Sequence, residues 1–135
     1  MKLLVRDIRS AHDLLAAFDA GAKERVEGVL TTAESIFAAQ LHRVVQLAAQ
    51  YRLPGMYPYR SFVDAGGLTA YDSYRADLLP RTATYVDRIL KEAKPSHLPV
   101  EQPSKFELVI NTKTAKALGL TIPRTVILQA DKVIE

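Results

Sequence analysis

The sequence contains no cysteine among its 135 residues. This absence excludes disulfide bonds, catalysis by a thiolate and metal sites built on cysteine. Long apolar runs are also missing, since the longest stretches without a charge, Ser35–His42 and Val44–Tyr51, have eight residues each. A membrane-spanning helix needs about 20 apolar residues, so none is expected. The apolar run Leu3–Val5 is likewise shorter than the roughly 7–15 residues of a signal peptide.

Sequence motifs of common enzymes are absent as well. The chain has no G-x-G-x-x-G, no G-x-x-x-x-G-K-[ST] and no G-x-S-x-G. Its three histidines, His12, His42 and His97, lack the i, i+3 or i+4 spacing of a helical metal site. We therefore expect no metal, no cofactor and no enzymatic activity.

The composition is that of one folded domain. Apolar residues make up 48% and charged residues 24% of the chain, which suffices for a buried core and argues against disorder. Eighteen Lys and Arg against 15 Asp and Glu give a net charge of only +3. The basic residues are scattered among glutamates, which is typical of a solvated surface, and no nucleic-acid partner is expected.

Strand-like and helix-like segments alternate along the chain, and this alternation predicts an α/β fold with a parallel sheet flanked by helices. The predicted strands are Leu3–Val5, Val26–Leu30, Gly55–Tyr57, Leu68–Tyr71 and Phe106–Ile110. The predicted helices cover residues 10–25, about 36–52, 74–93 and Thr112–Leu118, and a last amphipathic segment is Thr125–Glu135. Pro80 should introduce a kink into the third helix or mark its true start. Asn111 should cap the fourth helix, and Gly119 should end it.

Ligands of such sheets bind beyond the carboxyl ends of the strands, so the loops after these strands are the candidate site. Tyr57, Tyr59 and Tyr71 lie at or just past predicted strand ends, where a tyrosine can stack on a small ligand and donate a hydrogen bond. Two roles are open for Glu34. Its charge can favour the N-terminus of a helix, or its carboxylate can accept a hydrogen bond from a ligand.

A long phrase in the second half carries a family resemblance. The chain reads K-P-x-x-L-P-V-E-Q-P-x-K-F-E-L-V-I-N over residues 94–111 and T-A-K-A-L-G-L-T-I-P over residues 114–123. Upstream, Arg52–Pro54 and Val63–Leu68 fit as well. With these residues the chain resembles the substrate-binding proteins of ABC transporters, in particular the tryptophan/tyrosine group. The resemblance covers essentially the whole chain and is strongest from about Ala39 onward.

The resemblance implies a partial type I periplasmic-binding-protein fold, of which this chain is the C-terminal portion only. Residues 1–63 would be β/α units of the second lobe. Residues 64–104 would be a crossover strand, a helix and a connector, and residues 105–135 a return strand and C-terminal helices. The helix would pack on the absent first lobe. Its apolar stripe, Tyr85, Val86, Ile89 and Leu90, is therefore expected to lack a partner and to promote a homo-oligomer.

The implied function is the non-catalytic recognition of a small amino-acid-like or organic solute, with an ABC permease as partner. The expected ligand-binding residues are Thr32, Glu34, Ser35, Tyr59, Tyr71 and Asp72. The alternative is a self-associating structural remnant that no longer binds solute. The family resemblance implies a periplasmic location. The given sequence, however, shows no signal peptide, so a cytoplasmic location is expected if the natural chain is the given sequence.

Overall fold

Five strands and seven α-helices make up the part of the chain that the computed structural model describes, residues 2–73, 75–103 and 105–135. The strands form one sheet in chain order. They are β1 (Val29–Leu30), β2 (Gly55–Tyr57), β3 (Thr69–Ser73), β4 (Phe106–Asn111) and β5 (Lys132–Ile134). The helices are α1 (Asp13–Lys23), α2 (Ser35–Ala39), α3 (Leu41–Gln50), α4 (Arg60–Asp64), α5 (Arg75–Leu90), α6 (Thr112–Leu118) and α7 (Arg124–Ile127). The predicted α/β class is confirmed.

The sheet is mixed: the predicted parallel arrangement is found in three strand pairs, and the fourth pair is antiparallel. β1–β2, β2–β3 and β4–β5 are parallel, whereas β3 and β4 are antiparallel over five residue pairs, from Thr69 with Ile110 to Ser73 with Phe106. After β3 the chain forms α5, comes back to the end of the sheet where β3 finishes, and runs back beside β3 as β4. A strand parallel to β3 would have required the chain to cross first to the opposite end of the sheet.

Both ends of the chain differ from the prediction. Leu3–Val5 forms no strand, and Leu3 and Val5 are 70% and 75% exposed, so these apolar residues have no neighbouring strand to pack beside. The predicted C-terminal helical segment contains α7 and then β5, which pairs with Val109–Asn111. It becomes a strand because β4 offers an unpaired edge, and such pairing cannot be read from local periodicity.

The helices follow the sequence with shifted boundaries. α1 begins at Asp13 instead of Ser10, and the Asp13 carboxylate accepts hydrogen bonds from the backbone N–H groups of Arg9 and Ser10. These two bonds lower the pKa of Asp13. The single helix predicted over about 36–52 is α2 followed by α3, and α4 was not predicted. The prediction for α6 is confirmed: Asn111 Oδ1 accepts from Thr114 N at 2.9 Å, and Gly119 ends the helix with a φ of 73°.

The long helix α5 contains Pro80, which therefore does not mark its start. Tyr74, where the predicted helix begins, lies outside the described residues. In the predicted apolar stripe of α5 the Tyr85 hydroxyl donates to Pro99 O at 2.6 Å, whereas Val86, Ile89 and Leu90 are 43–79% exposed. Among the described residues, no helix is long and apolar enough to cross a membrane.

The core lies between one face of the sheet and three helices. On the helices it consists of Leu14 and Phe18 of α1, Val44, Val45, Leu47 and Ala48 of α3, and Phe62 and Val63 of α4. The strands contribute Tyr57, Ala70 and Val109. The Tyr57 ring stacks on Phe62 with centroids 4.8 Å apart, so Tyr57 is a core residue and not a ligand contact. We call this side of the sheet the core face.

The other side of the sheet is apolar and open over β1, β2, β3 and the start of β4. Side chains alternate between the two faces of a strand, and the strand register shows which residues of neighbouring strands share this face. Four large apolar side chains on it are 42–65% exposed: Leu30, Met56, Tyr71 and Phe106. We call these four residues the open face.

Gly67 is required by the close packing of Tyr57 on α4. A Cβ at Gly67 would lie 2.6 Å from Tyr57 Cε2 and 2.7 Å from the backbone oxygen of Phe62. Gly67→Ala should therefore lower the free energy of unfolding by about 1–3 kcal/mol, the usual cost of overpacking. Urea denaturation measures this loss. Gly21→Ala in α1 is the matched control: its Cβ would lie 3.2 Å from Val26 Cγ2, a side chain that can shift, and alanine favours a helix, so the loss should be smaller than for Gly67→Ala. Equal losses in both variants would contradict the packing argument.

Burial raises the pKa of Tyr57 to about 12. The folded state thus holds the phenolic proton more tightly than the unfolded state, in which the pKa is about 10. This contribution to stability is complete below pH 10 and is lost as the pH rises through 12, by about 2–3 kcal/mol. Tyr57→Phe should reduce the loss measured by urea denaturation at pH 9–12, whereas Tyr71→Phe, at an exposed tyrosine, should leave it unchanged. A wild-type loss that persists in Tyr57→Phe would show that other groups cause it.

Candidate functional site

The candidate site lies where β1, β2 and β3 reach their carboxyl ends. We call this end of the sheet the carboxyl edge, or simply the edge. Because β4 is antiparallel to β3, its first residues reach the same edge. The loops after β1 and β2 lead directly into α2 and α4. This edge therefore gathers side chains from four strands and two loops, which no single segment of the chain could do.

The loops after β1 and β2 are tied together by Tyr59. Its hydroxyl donates to the backbone oxygen of Ala33 at 3.2 Å. Thr32, Glu34 and Ser35 flank Ala33 and are exposed. Four of the six predicted ligand-binding residues thus lie on two adjoining loops at this edge.

Glu34 occupies the N-cap position of α2, and its side chain makes no capping hydrogen bond. Its backbone oxygen accepts from Phe37 N at 3.1 Å. The carboxylate is therefore not used in a cap and extends from an exposed position at the edge.

Asp72 lies beside Glu107 at the end of β3. The two residues are directly paired in the antiparallel register, on the core face of the sheet. Asp72 is only 9% exposed, and its hydrogen bond from Ser73 Oγ is long, at 3.5 Å. Among the described residues, the nearly buried carboxylate accepts this one weak hydrogen bond and keeps most of its acceptor capacity.

Arg60 contacts the Glu107 carboxylate of this pair. Its Nη1 lies 3.8 Å from Glu107 Oε1, and its Nε lies 3.4 Å from Asp64 Oδ2. Like charges directly opposite on neighbouring strands repel each other, and the guanidinium beside Glu107 offsets part of this repulsion. Both contacts are long for ion pairs, which leaves the donors of Arg60 able to bind another anion.

Thr31 adds a buried hydroxyl at the end of β1. The residue is 7% exposed, and its Oγ1 has no hydrogen-bond partner among the described residues. A buried hydroxyl without a partner costs about 1–3 kcal/mol. The oxygen itself is buried, so it contributes no surface to the site.

The structure separates Tyr71 from Asp72. They are consecutive on β3 and therefore point to opposite sides of the sheet. Tyr71 lies on the open face, where its ring stacks on Phe106 with centroids 5.3 Å apart. Asp72 lies with Arg60 and Glu107 on the core face. The six predicted residues thus form a group of five at the edge and one residue on the open face.

Three residues of the edge were missed by the sequence reasoning: Thr31, Arg60 and Glu107. Thr31 lies in the loop after β1, Arg60 is the first residue of α4 directly after the loop that follows β2, and their polar side chains next to predicted strand ends were the available signal. Glu107 carried no such signal, because it joins the edge only through the antiparallel pairing of β4.

A cavity of about 480 Å³ lies away from this edge, between α5 and the connector that follows it. Its lining includes Tyr85, Ile89, Leu98 and Val100. Within the described residues, no group of three or more histidine, aspartate or glutamate side chains is placed to hold a metal ion.

An α/β sheet with polar loops at the carboxyl ends of its strands is the arrangement of a binding protein. The model of the family "ABC transporter substrate binding protein" matches residues 1–134. The chain therefore belongs to this family, as the sequence resemblance had predicted. A comparison with curated proteins gave no match.

Solved structures agree with the family and with the fold. An ABC domain from Streptococcus pneumonia in complex with L-Trp is 28% identical, with a TM-score of 0.85 over 94% of this chain and 43% of its own. A conserved domain protein from Vibrio cholerae is 26% identical, with a TM-score of 0.90 over 98% of this chain and 45% of its own. A ligand-free, open substrate-binding protein with adhesive properties from Clostridium difficile, 16% identical, has a TM-score of 0.68 over 99% of this chain and 44% of its own, and shows the fold alone. The chain spans less than half the length of these structures.

The charge balance at the edge can be tested through stability. Arg60→Gln leaves Asp72 and Glu107 side by side without a cation, and we expect the free energy of unfolding to fall by about 0.5–1 kcal/mol. Arg60→Gln combined with Glu107→Gln removes the repulsion and should recover most of the loss. Urea denaturation of the two single variants and the double variant gives the coupling energy. Strictly additive effects would show that Arg60 does not compensate this carboxylate pair.

Proposed function

We propose that this chain serves in the solute recognition of an ABC transporter and that it binds a small amino-acid-like or organic solute at the carboxyl edge of β1–β3. The proposal covers a non-catalytic role, in the periplasm, with an ABC permease as partner. Family membership supports the class of function. The observation that carries the site is the nearly buried Asp72 carboxylate, which accepts one long hydrogen bond among the described residues and is paired across the sheet with Glu107, the residue that Arg60 contacts.

The charges at the edge favour a zwitterionic solute. The Asp72 carboxylate is suited to an ammonium group, and the Arg60 guanidinium is suited to a carboxylate. An α-amino acid has this pair of charges on one carbon, which places it first among the candidate solutes. The relative from Streptococcus pneumonia was solved with such a molecule, L-Trp.

The remaining predicted contacts belong to the exposed loops. Thr32, Glu34 and Ser35 would face the side chain of the solute, and Tyr59 would position their loop through its bond to Ala33. Tyr71 stays a prediction, since a solute at the edge would reach it only by extending to the open face. In the two-lobed arrangement implied by the family resemblance, a second lobe would cover the solute from the other side.

Isothermal titration of the chain with L-Trp, L-Tyr, L-Leu and L-Glu tests the proposal. Asp72→Asn should weaken binding about tenfold to a hundredfold, because a hydrogen bond to a charged group contributes roughly 1.5–3 kcal/mol. Asp7→Asn, at an exposed aspartate away from the edge, is the matched control and should bind like the wild type.

The alternative function is a self-associating structural remnant that binds no solute. The observation that favours it is the openness of the edge, since a site covered from one side buries less of its ligand. Absence of heat with all four amino acids at millimolar concentration, from a chain that is folded by circular dichroism, would support this alternative. Binding that is equal in wild type and Asp72→Asn would contradict the assigned site while leaving the family function in place.

A further inference from the structure

We draw no further inference here: the strongest candidate, the exposed apolar surface formed by Leu79, Val86 and Leu90 of α5 together with the open face of the sheet, carries none because nothing in the structure shows what covers it.

Discussion

β3 and β4 run antiparallel for five residue pairs, and this pairing determines both the candidate site and the unusual position of α5. It places Glu107 beside Asp72 on one side of the sheet and Phe106 against Tyr71 on the other. It also requires the 32 residues between the strands to begin and end at the same edge. A parallel return would have packed α5 along a face of the sheet.

The alternation of side chains along the strands gives the two faces different roles. On the core face, the apolar layer of Tyr57, Ala70 and Val109 gives way to charged groups as the strands reach the edge. On the open face, apolar residues continue up to that edge. Asp72 and Tyr71 are therefore neighbours in sequence and belong to different environments, one charged and nearly buried, the other aromatic and half exposed.

Much of the fold could be predicted from the sequence where local signals decide it. Asn111 and Gly119 bound α6, and Gly55–Tyr57 forms the predicted strand. The failures concern non-local pairing: Leu3–Val5 found no partner strand, and the residues of β5 found one on β4. Glu92, just after α5, has a φ of 70°, which lies in the left-handed region that favours glycine.

The same distinction between local and non-local signals applies to the residues of the candidate site. Tyr59 and Asp72 were predicted at the carboxyl ends of strands, and the structure places them at the edge. The alternation of side chains along β3 could also have been read from the sequence. Because consecutive strand residues face opposite sides of a sheet, this alternation separates Tyr71 from Asp72. Glu107 could not be predicted, since its place depends on the direction and register of a strand that begins 33 residues after β3 ends.

The polar groups at the edge contribute little to the stability of the fold. A buried threonine hydroxyl without a partner and two adjacent carboxylates both oppose folding, and the long contacts of Arg60 offset only part of this cost. The core beneath them is closely packed around Tyr57, Phe62 and Val63, each at most 2% exposed. A rigid core can hold the two carboxylates in place until a solute provides their hydrogen bonds. The same reasoning applies to the open face, where exposed apolar area opposes folding in water and becomes favourable only when another surface covers it.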